Sequence, residues 1–395
     1  MNDWRIYRGV GQPHDGVRRL PEPPPWRDFT RAQDGAPTGS QDPSGARRLG
    51  VRRRRAENYA PRPAEVDAVN AALYLRRPLL VTGNPGTGKS TLAYAVAHEL
   101  QLGRVLRWPI VSRTSLQDGL YRYDAIGRLQ DVQLERARGA GGNGSDPGAG
   151  NGAAAGSAAD GRADGDGRAD GDGRADGDGR ADGDGRADGD GRADGDGADG
   201  ADRDPGIGAY IRLGPLGTAL LPSELPRVLL IDELDKSDLD LPNDLLNTLE
   251  EGEFAIPELE RVADRQPVVE VLSHDSGRVA VHGGRIACTN FPLIVLTSNG
   301  ERDFPAPLLR RCVQLELEPP GEEQLTAMVE AHLGEEGVAA GQDLIGRFLD
   351  REPGEVMAAD QLLNALFLTQ HTPHAERLTR ERIADLLMQR LDRSR

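Results

Sequence analysis

Five short segments dominated by aliphatic side chains read as β-strands: Pro78-Leu79-Leu80-Val81-Thr82, Val105-Leu106-Arg107-Trp108-Pro109, Val228-Leu229-Leu230-Ile231-Asp232, Leu293-Ile294-Val295-Leu296-Thr297 and Val313-Gln314-Leu315-Glu316-Leu317. Val228–Ile231 is apolar without interruption, the mark of a strand covered on both faces. Helical periodicity occupies Pro63–Leu75 and Thr91 to about Leu102. Strands alternating with helices predict a three-layer α/β domain with a mainly parallel sheet. Val268–Val281 reads as a β-hairpin turning at Ser276-Gly277. From about Pro320 the pattern is helical throughout, over Glu322–Leu333, Asp343–Leu349, Ala359–Gln370 and Thr379–Leu391, and predicts a small helical subdomain across residues 320–395.

Two regions carry no such pattern. Residues 1–56 are rich in Pro, Arg, Gly and Asp, with four prolines in Pro21–Pro25 and the basic run Arg52–Arg55. They read as a mostly disordered arm in which Trp4, Tyr7, Trp26 and Phe29 are the side chains able to dock. Residues 161–196 are six consecutive copies of Gly-Arg-Ala-Asp-Gly-Asp inside a Gly/Ala/Asp-rich stretch, 139–206. No apolar side chain there exceeds Ala, so nothing offsets the ~1–2 kcal/mol per residue of backbone ordering, and a disordered insertion into a 57–319 domain is expected.

Composition narrows the function classes. With 48 Lys+Arg against 64 Asp+Glu, the net charge of -16 disfavours general affinity for nucleic acid. Two cysteines, Cys288 and Cys312, are too few for a disulfide framework and suit a reducing compartment. No apolar run approaches the ~18 residues of a membrane span, and the N-terminus lacks a signal-peptide core. A cytoplasmic protein is expected.

The chemistry concentrates after the first strand. Gly83-Asn84-Pro85-Gly86-Thr87-Gly88-Lys89-Ser90 is a G-x-x-x-x-G-K-[ST] loop between a strand and a helix that opens at Thr91. Glycines let backbone N–H groups turn inward on phosphates, and the helix N-terminus adds its positive end. Lys89 would lie along the β- and γ-phosphates, and the Ser90 hydroxyl would be a ligand for Mg²⁺. Asp232-Glu233 ends the strand Val228–Ile231. Asp232 can hold Mg²⁺ opposite Ser90, and Glu233 is the natural general base for an attacking water. Asn299, closing Thr297-Ser298-Asn299, can orient that water. Arg310-Arg311, just before the strand at Val313, could reach the γ-phosphate held by a neighbouring subunit.

In this order the four motifs resemble an AAA+ ATPase. Leu245-Leu246-Asn247-Thr248-Leu249-Glu250-Glu251-Gly252-Glu253-Phe254 is similar to the segment after Walker B in the MoxR branch, and Leu116–Tyr123 resembles an insert of that branch. The resemblance covers about 57–138 and 207–392. It implies a P-loop α/β/α domain with a parallel five-stranded sheet, a helical lid, and binding and hydrolysis of ATP with Mg²⁺. Asn299 matches sensor 1. Arg311 matches the arginine finger better than Arg310, but the acidic residue that precedes the finger in MoxR proteins is missing, so the choice stays open. No arginine opens the lid helix at Ala358-Ala359-Asp360-Gln361, and no sensor 2 is assigned; Arg347 and Arg351 are the substitutes at hand. Tyr121 and Tyr123 either line a central pore or pack a core. The resemblance further implies self-association, as a hexameric ring, and remodelling of a protein partner, with a von Willebrand factor A domain protein as the associated adaptor. The competing readings are a nucleic-acid-directed motor and a nucleotide-gated switch.

Overall fold

The computed structural model describes residues 4–27, 29, 59, 61–141, 206–349, 359–370, 382, 386 and 387. The chain divides into two units, residues 1–128 with 205–395, and residues 129–204. The first unit carries everything below except the helix α4 (Ala125–Gly141), which runs on into the second. Arg52–Arg55 and the hexamer tract lie outside the described residues, as does nearly all of Thr379–Leu391.

The five expected strands form one sheet. They are β1 (Leu79–Gly83), β2 (Leu106–Pro109), β5 (Val228–Asp232), β10 (Leu293–Ser298) and β11 (Val313–Leu317), in the order β11-β1-β10-β5-β2 with every pair parallel. Successive side chains go to opposite faces. Leu80, Leu229, Ile231, Ile294 and Leu296 thus enter one buried cluster, and Leu79, Val81, Val228, Leu230 and Val295 another. The second cluster is closed by α1 (Pro63–Leu75) and α2 (Lys89–Glu99), through Val66, Val69, Leu92 and Val96. The first is closed by α5 (Pro215–Ala219) and α6 (Leu241–Glu251), through Leu216, Leu245 and Leu249. Burial of each such aliphatic side chain is worth about 1.5–3 kcal/mol, which is why strands apolar on both sides must sit in the middle layer.

A second sheet of six strands adjoins the first cluster: β3 (Tyr121–Tyr123), β4 (Ile211–Leu213), β6 (Glu253–Ala255), β7 (Val268–Leu272), β8 (Arg278–His282) and β9 (Arg285–Ala287), ordered β3-β4-β7-β8-β9-β6. The hairpin is β7–β8, pairing Val268 with His282, with Ser276 at φ 73° in the turn. Four of the strands are three residues long, too short for alternation to reveal them. The short helix α3 (Leu116–Leu120) leads into β3. Tyr121 belongs to the core, not to a pore: it is 4% exposed, stacks on Phe254 and donates at 2.8 Å to Glu258 Oε2 of the short helix α7 (Pro257–Glu260). Tyr123 packs partly buried against the same cluster.

Of the arm read from the sequence as mostly disordered, residues 4–27 are docked, Tyr7 among the side chains able to do so. Ile6 and Tyr7 are 1% exposed, inside the cluster of α1 and α2. Backbone groups make the attachment. The buried Glu99 carboxylate, at the end of α2, accepts from the N–H groups of Arg8 (2.6 Å), Gly9 (3.1 Å), Val10 (2.8 Å) and Gly11 (3.0 Å). Asn70 Oδ1 accepts from the N–H groups of Ile6 and Tyr7. Gly9 sits at φ 72°, and a Cβ there would lie 2.3 Å from Pro61 Cγ. The glycine content that suggests disorder is what lets successive N–H groups converge on one carboxylate. Further on, Arg27 lies 4.7 Å from the Phe291 ring and donates to the carbonyls of Leu249, Glu250 and Arg76, while Trp26 is left 72% exposed.

After β11, the helix α9 (Glu322–Leu349) breaks at Gly334, φ 75°, where two helices are expected from the sequence. It packs on α10 (Ala359–Gln370) through Leu325, Val329, Phe348, Leu362 and Leu366, a cluster of its own. A Cβ at Gly341 would meet Leu366 Cδ2 at 2.1 Å, so a larger residue there would displace the end of that side chain. Among the described residues no helix is long and apolar enough to cross a membrane.

The Glu99 contacts yield a stability test. Glu99→Ala strands up to four backbone donors, and the unfolding free energy at neutral pH is expected to drop by about 3 kcal/mol. Denaturant unfolding with an unshifted midpoint would show that residues 4–11 contribute nothing to the folded domain.

Candidate functional site

The loop after β1 is shaped by its glycines. Gly83 has φ 145°, and a Cβ there would meet the Leu317 carbonyl oxygen at 2.5 Å; Gly88, at φ 91°, caps α2, which opens with Lys89. Lys89 Nζ curls back to donate to the carbonyls of Gly83 (2.7 Å) and Asn84 (2.8 Å). Burial lowers its pKa, against the opposing pull of Asp235, Asp232 and Glu233. Loop amides, a helix N-terminus and an ammonium group are together the kinds of donor that can bind phosphate.

At the end of β5, buried Asp232 is the hub. Its Oδ1 accepts from Ser90 Oγ (2.7 Å) and Thr297 Oγ1 (2.9 Å), and its Oδ2 from Arg107 Nε (3.0 Å) and Nη2 (2.6 Å). Burial by itself would raise this carboxyl, yet the bonds from Ser90, Arg107 and Thr297 hold it below the ordinary carboxylate range. Parallel pairing places the donors, since β2 and β10 flank β5 on either side.

Glu233 follows in the left-handed region, φ 63° and ψ 50°. A non-glycine residue there is strained and persists only when its surroundings hold it. Its N–H donates to Thr297 Oγ1 at 2.9 Å, and its Oε2 pairs with Lys236 Nζ at 2.8 Å. Asn299 stands one residue past β10, its N–H donating to Asp235 Oδ2 at 2.8 Å.

These groups share a cavity of about 760 Å³. Its wall includes Pro85–Thr91, Asp232, Glu233, Thr297 and Asn299 from the core, and Gln324, Met328, His332, Asp360 and Gln361 from the helical subdomain. Gly83 and Asn84 adjoin it through Lys89. Arg310 and Arg311, in α8 (Ala306–Arg311), do not line it. Arg311 donates from Nε (2.8 Å) and Nη2 (2.6 Å) to Glu250 Oε2, whereas the Arg310 side chain is exposed. Among the described residues the wall holds no arginine of the lid, and Arg351 lies outside them.

Sequence reading passes over four contributors. Arg107 is a charge inside an otherwise apolar strand, a signal that was there to use. Thr297 and Asp235 act only through tertiary neighbours. Glu65 also lines the cavity and accepts from Tyr59 Oη at 2.7 Å, which depends on a contact between a residue just before α1 and the first turn of that helix.

The oxygens fit Mg²⁺. The Ser90 hydroxyl and the Asp232 carboxylate meet at one point, and no trio of His, Cys, Asp or Glu side chains among the described residues forms a metal cage. Mg²⁺ ordinarily takes one or two carboxylates together with substrate phosphates, which is the set offered here.

Thr297→Val keeps the volume while removing a donor to Asp232 and an acceptor for the Glu233 N–H. Unfolding free energy should fall by about 1–3 kcal/mol at pH 7. Because Asp232 is depressed in the folded state, the part due to its ionised form is complete above pH ~4 and shrinks as pH drops through the folded value. A destabilisation of the same size at low pH would detach it from Asp232.

The model of the ATPase family associated with various cellular activities (AAA) matches residues 79–132, from β1 through the loop and α2 into α4. No curated protein matches the chain. Loop, acidic strand end and family match together support an AAA+ ATPase, a nucleotide-binding and ATP-hydrolysing enzyme in the general sense.

Proposed function

We propose that the protein is a MoxR-like AAA+ ATPase of the cytoplasm that hydrolyses Mg²⁺-ATP in an oligomeric ring and remodels or activates a partner protein. One observation carries the hydrolytic part: Pro85–Thr91, Asp232, Glu233 and Asn299 converge on a single cavity roofed by the helical subdomain. Loop amides and Lys89 hold the phosphates, Lys89 exchanging its two carbonyl partners for phosphate oxygens. Ser90 and Asp232 would hold Mg²⁺, which neutralises charge on the phosphates. Glu233 takes the proton of the attacking water once Lys236 releases it, and the Asn299 amide orients that water. The lid excludes bulk water and strengthens each of these interactions.

The ring rests on Arg310 and Arg311. Both stand outside the cavity of their own chain, so a guanidinium reaches a γ-phosphate only across a subunit interface. Arg310 is free to do so as it stands, while Arg311 must first leave Glu250. The MoxR assignment, the partner and a von Willebrand factor A domain adaptor rest on the likeness of Leu245–Phe254 and Leu116–Tyr123 to that branch.

Lys89→Ala is expected to abolish nucleotide binding, whereas Glu233→Gln binds ATP and turns over ~10²-fold more slowly or worse. Equilibrium binding and steady-state phosphate release separate the two, and normal turnover by Glu233→Gln removes it from the role of base.

For the shared site, specific activity should climb with protein concentration in the presence of nucleotide. An Arg310→Ala/Arg311→Ala protein should bind ATP but lose ~10³-fold in rate, and mixing it with Lys89→Ala should restore part of the activity. Activity independent of dilution down to monomeric protein would eliminate the trans arrangement.

A further inference from the structure

Asn299 has no rigid element of its own: β10 ends at Ser298, and Gly300 follows at φ 77°. What fixes it comes from the other side of the site. The turn Leu234–Lys236, directly after Glu233, carries Asp235, which is 3% exposed. Asp235 Oδ2 accepts from the N–H groups of Asn299 (2.8 Å) and Glu301 (3.2 Å). A third bond runs from Arg302 Nη1 to the Ser237 carbonyl at 2.7 Å. The loop 299–302 is thus fastened to the turn that bears Glu233, chiefly through one carboxylate oxygen. The other oxygen, Oδ1, is buried without a hydrogen bond among the described residues.

Two N–H bonds converging on one charged acceptor give short, directional restraint. Positioning errors of about 1 Å at a reacting centre cost ~10²-fold in rate, so such restraint matters where a side chain must orient water.

We propose that Asp235 is the positioning residue that sets Asn299 against Glu233, joining the two sides of the hydrolytic site into one unit. Asp235 does not line the cavity itself and acts through the loop 299–302. The proposal rests on the hydrolytic reading of the cavity and deepens it.

The test uses the full chain and compares Asp235→Asn, Asp235→Ala, Asn299→Ala and the double variant Asp235→Ala/Asn299→Ala. Readouts are kcat and KM for Mg²⁺-ATP and the affinity for a fluorescent ATP analogue. Asn299→Ala and Asp235→Ala should each lower kcat by ~10²-fold while KM and analogue affinity stay within about threefold. Asp235→Asn keeps an acceptor of the same shape and should retain kcat within about threefold. The double variant should be no slower than Asn299→Ala, because the two residues act through one group. Losses that multiply in the double variant, or full kcat in Asp235→Ala beside a slow Asn299→Ala, overturn the positioning role and leave the hydrolytic reading intact. Normal kcat in Asn299→Ala overturns both. Should Asp235→Ala fail to fold, Asp235→Asn decides: kcat near the unmodified protein sustains the proposal, and a loss as deep as that of Asn299→Ala refutes it.

Discussion

The buried Asp232 carboxylate is the constraint around which the nucleotide-binding face is organised. Taking a carboxylate out of water costs several kcal/mol unless its lone pairs are filled. Here the donors come from three elements: Ser90 on α2, Thr297 on β10 and Arg107 on β2. Satisfying one charge therefore fixes the phosphate loop's helix, two neighbouring strands and the strand that carries Asp232. The same bonds keep the group ionised, which is the state a cation requires. Structural satisfaction and chemical readiness have one cause.

Thr297 extends the arrangement by one residue. Its hydroxyl donates to Asp232 and accepts from the Glu233 N–H, so the left-handed conformation of Glu233 is held from outside its own strand. Strain at Glu233 and order in Asp232 are supported by the same side chain. Lys236 then sits on the Glu233 carboxylate, an exposed pair of the kind worth little in stability and easily exchanged. A carboxylate in such a pair is restrained without being locked.

A different balance governs the side bearing Arg310 and Arg311. Arg27, from the N-terminal segment, caps the last carbonyls of α6, the helix that presents Glu250 to Arg311. The segment thereby joins the core at two distant places, Glu99 at the end of α2 and the end of α6.

The sequence alone determined the five-stranded parallel sheet, because uninterrupted runs such as Val228–Ile231 are stable only between two layers. It also determined the loop at Gly83–Ser90 and the placement of Asp232, Glu233 and Asn299 at strand ends, since these depend on local spacing. Three-residue strands such as Ile211–Leu213 were illegible, because a period of two needs more residues than that to appear. The docking of residues 4–27 was hidden for another reason: its main contacts are backbone N–H groups, whose partners Glu99 and Asn70 lie some sixty to ninety positions away. Only the tertiary structure decided that Arg107 and Thr297 satisfy Asp232, that Asp235 holds the Asn299 loop, and that Arg311 is paired with Glu250. Hydrogen bonds between distant segments leave no periodic trace, whereas burial of apolar surface does.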